Sequence, residues 1–149
     1  MRKGILAVFI LILTACKSHA FCFQEAGAMY NVSAELLYAI ARVESNFNPL
    51  AINKNKNGTF DYGVMQINSS WYKIIGHKTW VALSDPCLNV KVGAWILSDC
   101  IKKHGSTWEA VGCYNANNKE KRKKYAWKIY QVLQRQGDAQ KIRINYSIK

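Results

Sequence analysis

The chain has 149 residues and a formal net charge of +12 at neutral pH. This length predicts one ordinary domain, and no Pro/Ser-rich linker or internal repeat divides it, which argues against a second domain. The basic excess suits a polyanionic partner, such as nucleic acid, anionic lipid or a cell wall with acidic peptides and phosphate polymers, although a solvated basic surface explains the charge more simply.

The first twenty residues have the pattern of an export signal. Arg2 and Lys3 form a basic start, and residues 5–13 (ILAVFILIL) form an apolar run too short to anchor the chain in a bilayer. We expect cleavage after Ala20, which leaves residues 21–149 as the mature, exported domain. Its net charge is +9, because the signal carries three of the 21 basic residues and none of the nine acidic ones. The alternative is lipidation of Cys16, since LTAC resembles a lipoprotein processing box.

The cysteines of the mature domain predict disulfide bonds. An even number of cysteines in a chain bound for an oxidising compartment indicates two disulfides, with three possible pairings. Zinc is a poorer interpretation, because no Cys-x-x-Cys pair is present and neither His77 nor His104 is at ligand spacing from a cysteine. The four cysteines are Cys22, Cys87, Cys100 and Cys113.

A glutamate stands out in the first predicted helix, residues 34–45 (AELLYAIARVES). Leu37 and Ile40 belong to its apolar stripe, and Glu44 extends the same stripe. A carboxyl group on an apolar face is unusual, because surface glutamates lie on the opposite face. Burial would raise its pKa toward the range in which a carboxylic acid donates a proton at neutral pH. On the helix pattern alone, a glutamate that pairs with an arginine or caps a loop is the alternative.

The remaining elements complete a mainly helical α+β domain with one small β-hairpin. Asn57-Gly58 predicts the turn of that hairpin, because a type I′ turn needs positive φ at both central residues. Capping and breaker residues delimit the helices, and the polar end of the chain predicts a loose tail. The predicted ranges are 52–61 for the hairpin, 68–72 for a short helical turn, 85–104, 106–114 and 121–136 for helices, and 137–149 for the tail.

Two segments resemble the active-site motifs of one superfamily. Residues 44–48 (ESNFN) and 61–69 (DYGVMQINS) are similar to the E-S-N-F-N and D-Y-G-I-L-Q-I-N-S segments of c-type lysozymes, and Asp61 lies 17 positions after Glu44 as in those enzymes. The same residues also resemble the E-S-x-F-N-P and G-x-M-Q-I-N segments of lytic transglycosylases. Two linked motifs in this order are a strong signal of a glycan-cleaving enzyme.

The rest of the chain is more similar to the transglycosylase branch. Residues 21–27 (FCFQEAG), 85–89 (DPCLN), 93–97 (GAWIL) and 108–116 (WEAVGCYNA) resemble the small exported lytic transglycosylases that accompany type III and type IV secretion, conjugation and pilus systems. The resemblance covers about residues 21–130. It implies a lysozyme-like fold with a glycan groove between the helical part and the hairpin.

The resemblance also implies the cysteine pairing and reveals one departure from the family. Cys22 is expected to pair with Cys87, and Cys100 with Cys113. Asn117 stands where the family usually has a glycine after Y-N-A, so the course of that loop is left open.

The resemblance implies cleavage of peptidoglycan between N-acetylmuramic acid and N-acetylglucosamine, with a 1,6-anhydro product. Glu44 would be the acid and base of this reaction, and no metal or cofactor would be needed. Asp61, at the position of the lysozymes' second carboxylate, is a second catalytic candidate that the transglycosylase mechanism does not require. The residues expected to bind substrate are Ser45, Met65, Gln66, Asn68, Tyr114 and Asn115.

Other functions fit parts of the pattern. Hydrolysis by a lysozyme mechanism would use Asp61 as a nucleophile or charge stabiliser, and an inactive glycan-binding assembly factor would need neither carboxylate. Nucleic-acid binding fits the charge but not the export signal and the disulfides. The basic residues 119–124 either hold an external anion or form a solvated face. We expect a periplasmic monomer that acts on glycan strands, with components of a secretion, conjugation or pilus apparatus as candidate partners.

Overall fold

The protein is described here by a computed structural model of residues 21–147, with side chains as far as Gly137. The predicted export signal and the alternative lipidation site at Cys16 lie outside the described residues. Within residues 21–147, no helix is long and apolar enough to cross a membrane.

Most of the described chain is helical. Side-chain caps start several helices, because the side-chain oxygens of Ser33, Asp85 and Thr107 accept hydrogen bonds from backbone N–H groups in the first turn. The caps at Ser33 and Asp85 are as predicted, whereas α5 begins two residues after the predicted start at 106. The α-helices are α1 (Phe23–Tyr30), α2 (Ala34–Ser45), α3 (Tyr72–Val81), α4 (Pro86–His104), α5 (Trp108–Asn115) and α6 (Lys119–Ser147).

A small antiparallel sheet follows α2. Strands β1 (Ile52–Lys54) and β2 (Phe60–Tyr62) form the predicted hairpin. The predicted type I′ turn is wrong, because Gly58 has φ +83° but Asn57 has no positive φ, and five residues connect the strands. The structure adds a third strand, β3 (Ile67–Asn68), which pairs with β2. The sequence did not predict β3, because two residues are too few to show an alternating pattern.

Helix α3 is longer than the predicted short turn at residues 68–72. A 3₁₀ turn over Ser69–Trp71 leads into α3, which is interrupted at Gly76, where φ is +78°. No residue of α3 is buried, so the helix lacks the apolar stripe by which the sequence would have revealed it.

The core lies where α4 packs against α1, α2 and α5. Leu37 and Ile40 of α2, Leu97 of α4 and Ile129 of α6 are fully buried. Burial of an aliphatic side chain of this size contributes about 1.5–3 kcal/mol relative to exposure, so this core fixes the end of α2 that carries Glu44.

Two disulfides link the start of α1 and helix α5 to α4. Cys22 pairs with Cys87 and Cys100 with Cys113, as the resemblance implies. Their sequence separations are 65 and 13 residues, for which chain entropy predicts about 4 and about 3 kcal/mol of stabilisation.

Helix α6 begins two residues before the predicted range 121–136 and continues to Ser147. Gly137 lies inside it, because a single glycine lowers helix stability by only about 1 kcal/mol relative to alanine. Since the side chains are described only to Gly137, the looseness of residues 137–149 stays a prediction.

Candidate active site

A groove of about 890 Å³ separates the sheet from the helices. Glu44 lies on its floor at the end of α2. The β1–β2 turn and the strand residues Asp61 and Asn68 form one wall, and the loop between α5 and α6 forms the other. The Glu44 carboxyl group therefore lies at the base of the groove.

The Glu44 carboxyl group has a strongly perturbed pKa. Helix α2 ends directly after it, because Asn46 and Phe47 adopt left-handed backbone conformations with φ of 52° and 65°. The pKa of Glu44 is raised to about 7. Burial is the main cause, the charge of Asp61 also raises the pKa, and a hydrogen bond from Tyr125 opposes both. At neutral pH both protonation states are populated, so Glu44 can donate a proton and later accept one.

Tyr125 of α6 holds the Glu44 carboxyl group in place. Its hydroxyl donates a hydrogen bond to Oε1 of Glu44 at 2.5 Å. Burial and the nearby Glu44 charge raise the pKa of Tyr125, so the hydroxyl stays a donor. Because Oε1 is occupied, Oε2 is the oxygen left to exchange a proton with a ligand in the groove.

Tyr114 lies beside Tyr125 and lines the groove. The two rings are stacked at 6.5 Å between centroids, and the Tyr114 hydroxyl donates to the carbonyl oxygen of Met65 at 2.7 Å. Burial and the charge of Glu44 raise the pKa of Tyr114. The pair forms a neutral aromatic support for Glu44.

Asp61 is fixed on the sheet wall by two amide groups. Its Oδ2 accepts from Nδ2 of Asn55 at 2.9 Å, and its Oδ1 accepts from Nδ2 of Asn68 at 2.6 Å. Asn68 is its cross-strand partner on β3. Both carboxyl oxygens are thus held in one orientation at the groove.

Comparison with known proteins identifies the family. Residues 21–131 match the family described as the transglycosylase SLT domain. The chain belongs to this family. It is therefore a peptidoglycan lytic transglycosylase, as the motifs around Glu44 and Asp61 indicate.

Two relatives and one solved structure are similar to this transglycosylase. "Invasion protein IagB" of Salmonella typhimurium is 45% identical over 131 residues, which cover 83% of this chain and 82% of that protein. "Protein IpgF" of Shigella flexneri is 42% identical over 132 residues, which cover 82% of this chain and 87% of that protein. An inactive mutant of the lytic transglycosylase Slt from Pseudomonas aeruginosa has a TM-score of 0.61 at 19% identity. That match covers 78% of this chain and 23% of the larger protein, and it shows the fold alone.

The predicted substrate-binding residues fall into two groups. Tyr114, Gln66, Asn68 and Asn115 line the groove of the transglycosylase. Gln66 has φ +50°, and its side-chain amide donates to the carbonyl oxygen of Gly63 at 2.9 Å, so it also holds the loop before β3.

Ser45 and Met65 do not line the groove. The Ser45 hydroxyl contacts the carbonyl oxygen of Val64 at 2.8 Å, and the Met65 side chain is fully buried against Gly93. The structure favours a supporting role for both over the predicted substrate contact, because the Ser45 hydroxyl is occupied and Met65 is inaccessible.

Asn89 of α4 is a scaffold residue that the sequence analysis missed. It is fully buried, its Oδ1 accepts from the backbone N–H of Met65 at 2.8 Å, and its Nδ2 donates to the carbonyl oxygens of Tyr62 and Leu83 at 3.1 Å each. A Cβ at Gly63, where φ is +82°, would clash with this amide. Asn89 therefore anchors the loop between β2 and β3 to the core.

The loop after α5 does not need the glycine that Asn117 replaces. Its backbone at Asn117 is not left-handed. Asn118 ends the loop, and its Oδ1 accepts a hydrogen bond from the backbone N–H of Lys121 in the first turn of α6. The departure from the family pattern leaves the groove wall intact.

Replacing Tyr125 with phenylalanine is expected to shift the pH dependence of the transglycosylase. Without the hydroxyl donor, the carboxylate form of Glu44 is less stable and its pKa rises. The fall in kcat on the alkaline side should then move upward by about one pH unit, because hydrogen bonds to charged groups contribute about 1.5–3 kcal/mol. A pH profile of kcat checks this, with Tyr130→Phe on the same helix as the control. An unchanged alkaline midpoint in Tyr125→Phe would exclude this role.

Proposed function

We propose that this enzyme cleaves the β-1,4 bond between N-acetylmuramic acid and N-acetylglucosamine and releases a 1,6-anhydro product. The observation that carries the proposal is Glu44, a partly buried carboxyl group with a pKa of about 7 on the floor of the groove. A group with this pKa serves as both acid and base near neutral pH.

The reaction needs two proton transfers at Glu44. The protonated carboxyl group gives its proton to the glycosidic oxygen as the bond from that oxygen to the anomeric carbon breaks. The Glu44 carboxylate then takes the proton from the 6-hydroxyl of the N-acetylmuramic acid to which this anomeric carbon belongs. The 6-oxygen bonds to the anomeric carbon, which closes the anhydro ring without consuming water and restores the acid.

Asp61 is proposed to stabilise the positive charge that develops at the anomeric carbon. Both its oxygens accept hydrogen bonds from amides, which favours a fixed electrostatic role over covalent attack. Lysozyme-type hydrolysis with Asp61 as an essential second carboxylate is the alternative, because Asp61 lines the same groove as Glu44.

Replacing Asp61 with asparagine is expected to lower the cleavage rate about tenfold to a hundredfold, less than loss of Glu44 does. Asparagine removes the charge, and its amide nitrogen faces one of the two amide donors. Initial rates on purified sacculi measure the effect, and thermal unfolding checks that the sheet wall is intact. If folded Asp61→Asn is as inactive as Glu44→Gln, Asp61 is essential and the single-acid mechanism is wrong.

We propose a role in local opening of the cell wall during assembly of a secretion, conjugation or pilus apparatus, in the periplasm. The basis is the resemblance of residues 21–130 to transglycosylases of such systems, together with similarity to a protein named for invasion. The export signal predicted at residues 1–20 supports this location.

The proposed reaction is tested by incubating the purified enzyme with purified sacculi. Release of soluble disaccharide peptides that depends on Glu44 supports the proposal. A protein that binds sacculi and releases nothing would instead be a glycan-binding assembly factor.

A further inference from the structure

Two lysines lie at the groove on opposite walls. Lys56 belongs to the β1–β2 turn, and Lys121 is the third residue of α6. Both side chains are exposed, and both line the groove whose floor holds Glu44. The groove therefore has a cation on each of these two walls.

Neither lysine forms an ion pair with another residue whose side chain is described. Arg122, next to Lys121, binds Glu109 at 2.8 Å and does not line the groove, and Lys123 binds Glu120 at 3.1 Å. Within the basic residues 119–124, Lys121 is the one that lines the groove. Its charge is available to a ligand there.

The groove is lined by charges of both signs. Glu44 on the floor and Asp61 on the sheet wall repel other carboxylates, while Lys56 and Lys121 attract them. The sugar rings of a glycan strand are neutral. Free carboxylates occur in the peptide stems that every muramic acid of intact peptidoglycan carries on its lactyl group, and these stems leave the strand sideways.

We infer that Lys56 and Lys121 bind the stem carboxylates and make this enzyme select stem-bearing strands over bare glycan. This inference rests on the proposed cleavage of peptidoglycan. It assigns substrate selection to two residues outside the motifs that carry the family resemblance. Since both lysines are exposed, each contributes modestly to the binding free energy of a stem carboxylate. The selection therefore depends on both lysines together.

The test compares two substrates that differ only in their stems. One is a preparation of glycan strands with intact peptides. The other is the same preparation after an amidase has removed the peptides and the lactyl carboxylates that this hydrolysis frees have been converted to neutral amides. The measured quantity is the ratio of kcat/KM on the stem-bearing strands to kcat/KM on the bare strands. We expect the wild-type enzyme to favour stem-bearing strands and the double variant Lys56→Gln/Lys121→Gln to lower the ratio about threefold to tenfold.

A matched control removes the same net charge elsewhere. Lys78 and Lys102 are exposed and do not line the groove, so the double variant Lys78→Gln/Lys102→Gln should keep the wild-type ratio. Salt provides a second measurement. The wild-type preference should shrink between 0.1 M and 1 M salt, because the Debye length falls from about 10 Å to about 3 Å.

Three results would overturn the inference. They are a wild-type ratio of one or less, an unchanged ratio in the groove variant, and an equal loss in the control variant. These results differ from failure of the proposed function, which would appear as no cleavage of either substrate by the wild-type enzyme.

Discussion

Replacement of Glu44 by glutamine is expected to abolish glycan cleavage while the domain stays folded. Glutamine keeps the shape of the side chain and can accept the hydrogen bond from Tyr125, but it cannot donate or take up the proton. General acid–base catalysis contributes about 10²- to 10⁴-fold in rate, and here one residue performs both transfers. Release of soluble fragments from sacculi measures the loss. Glu35→Gln, an exposed glutamate on the same helix, is the control and should keep wild-type activity.

The same variant should be more stable than the wild type at alkaline pH. In the unfolded chain Glu44 loses its proton near pH 4.5, whereas in the folded protein it keeps the proton to about pH 7. The unfolded state therefore gains stability progressively between pH 4.5 and 7, and the fold carries the full penalty above pH 7. Glu44→Gln removes a penalty on the order of 3 kcal/mol at pH 8 and very little at pH 4. Lower stability of the variant at pH 8 would contradict the buried, proton-holding state of Glu44.

Replacement of Asn89 by alanine is expected to lower the free energy of unfolding by about 3 to 5 kcal/mol. The change removes three hydrogen bonds and leaves the backbone groups of Met65, Tyr62 and Leu83 without their partner in the core. Denaturant unfolding at neutral pH measures the loss. Asn117→Ala, an exposed loop asparagine, should change stability by less than about 0.5 kcal/mol. A similar small effect for Asn89→Ala would show that the loop between β2 and β3 does not depend on this anchor.

The sequence predicted those parts of the site that follow from local patterns. Glu44 could be predicted because it continues the apolar stripe of α2. The hairpin could be predicted because Asn57-Gly58 is a strong turn signal, although only Gly58 has a positive φ. The disulfide pairs came from family resemblance alone, since four cysteines allow three pairings.

The missed features depend on contacts between distant residues. The hydrogen bond from Tyr125 to Glu44 joins positions 81 apart, and those of Asn89 reach 24 and 27 positions back to the loop of the sheet. A buried tyrosine or asparagine must find partners, but a pattern in the chain does not say which ones. Strand β3 and helix α3 were missed for the opposite reason, because two residues and an unburied helix carry too little local signal.

The mass of the products shows directly whether the 6-hydroxyl of muramic acid attacks the anomeric carbon of the same sugar. Soluble fragments from a digest of sacculi by the wild-type enzyme are analysed by mass spectrometry before and after borohydride reduction. We expect fragments lighter by one water than lysozyme products and unchanged by borohydride, because their anomeric carbon is closed in the anhydro ring. Fragments of the heavier mass that borohydride reduces would show that water is the attacking group and would exclude attack by the 6-hydroxyl.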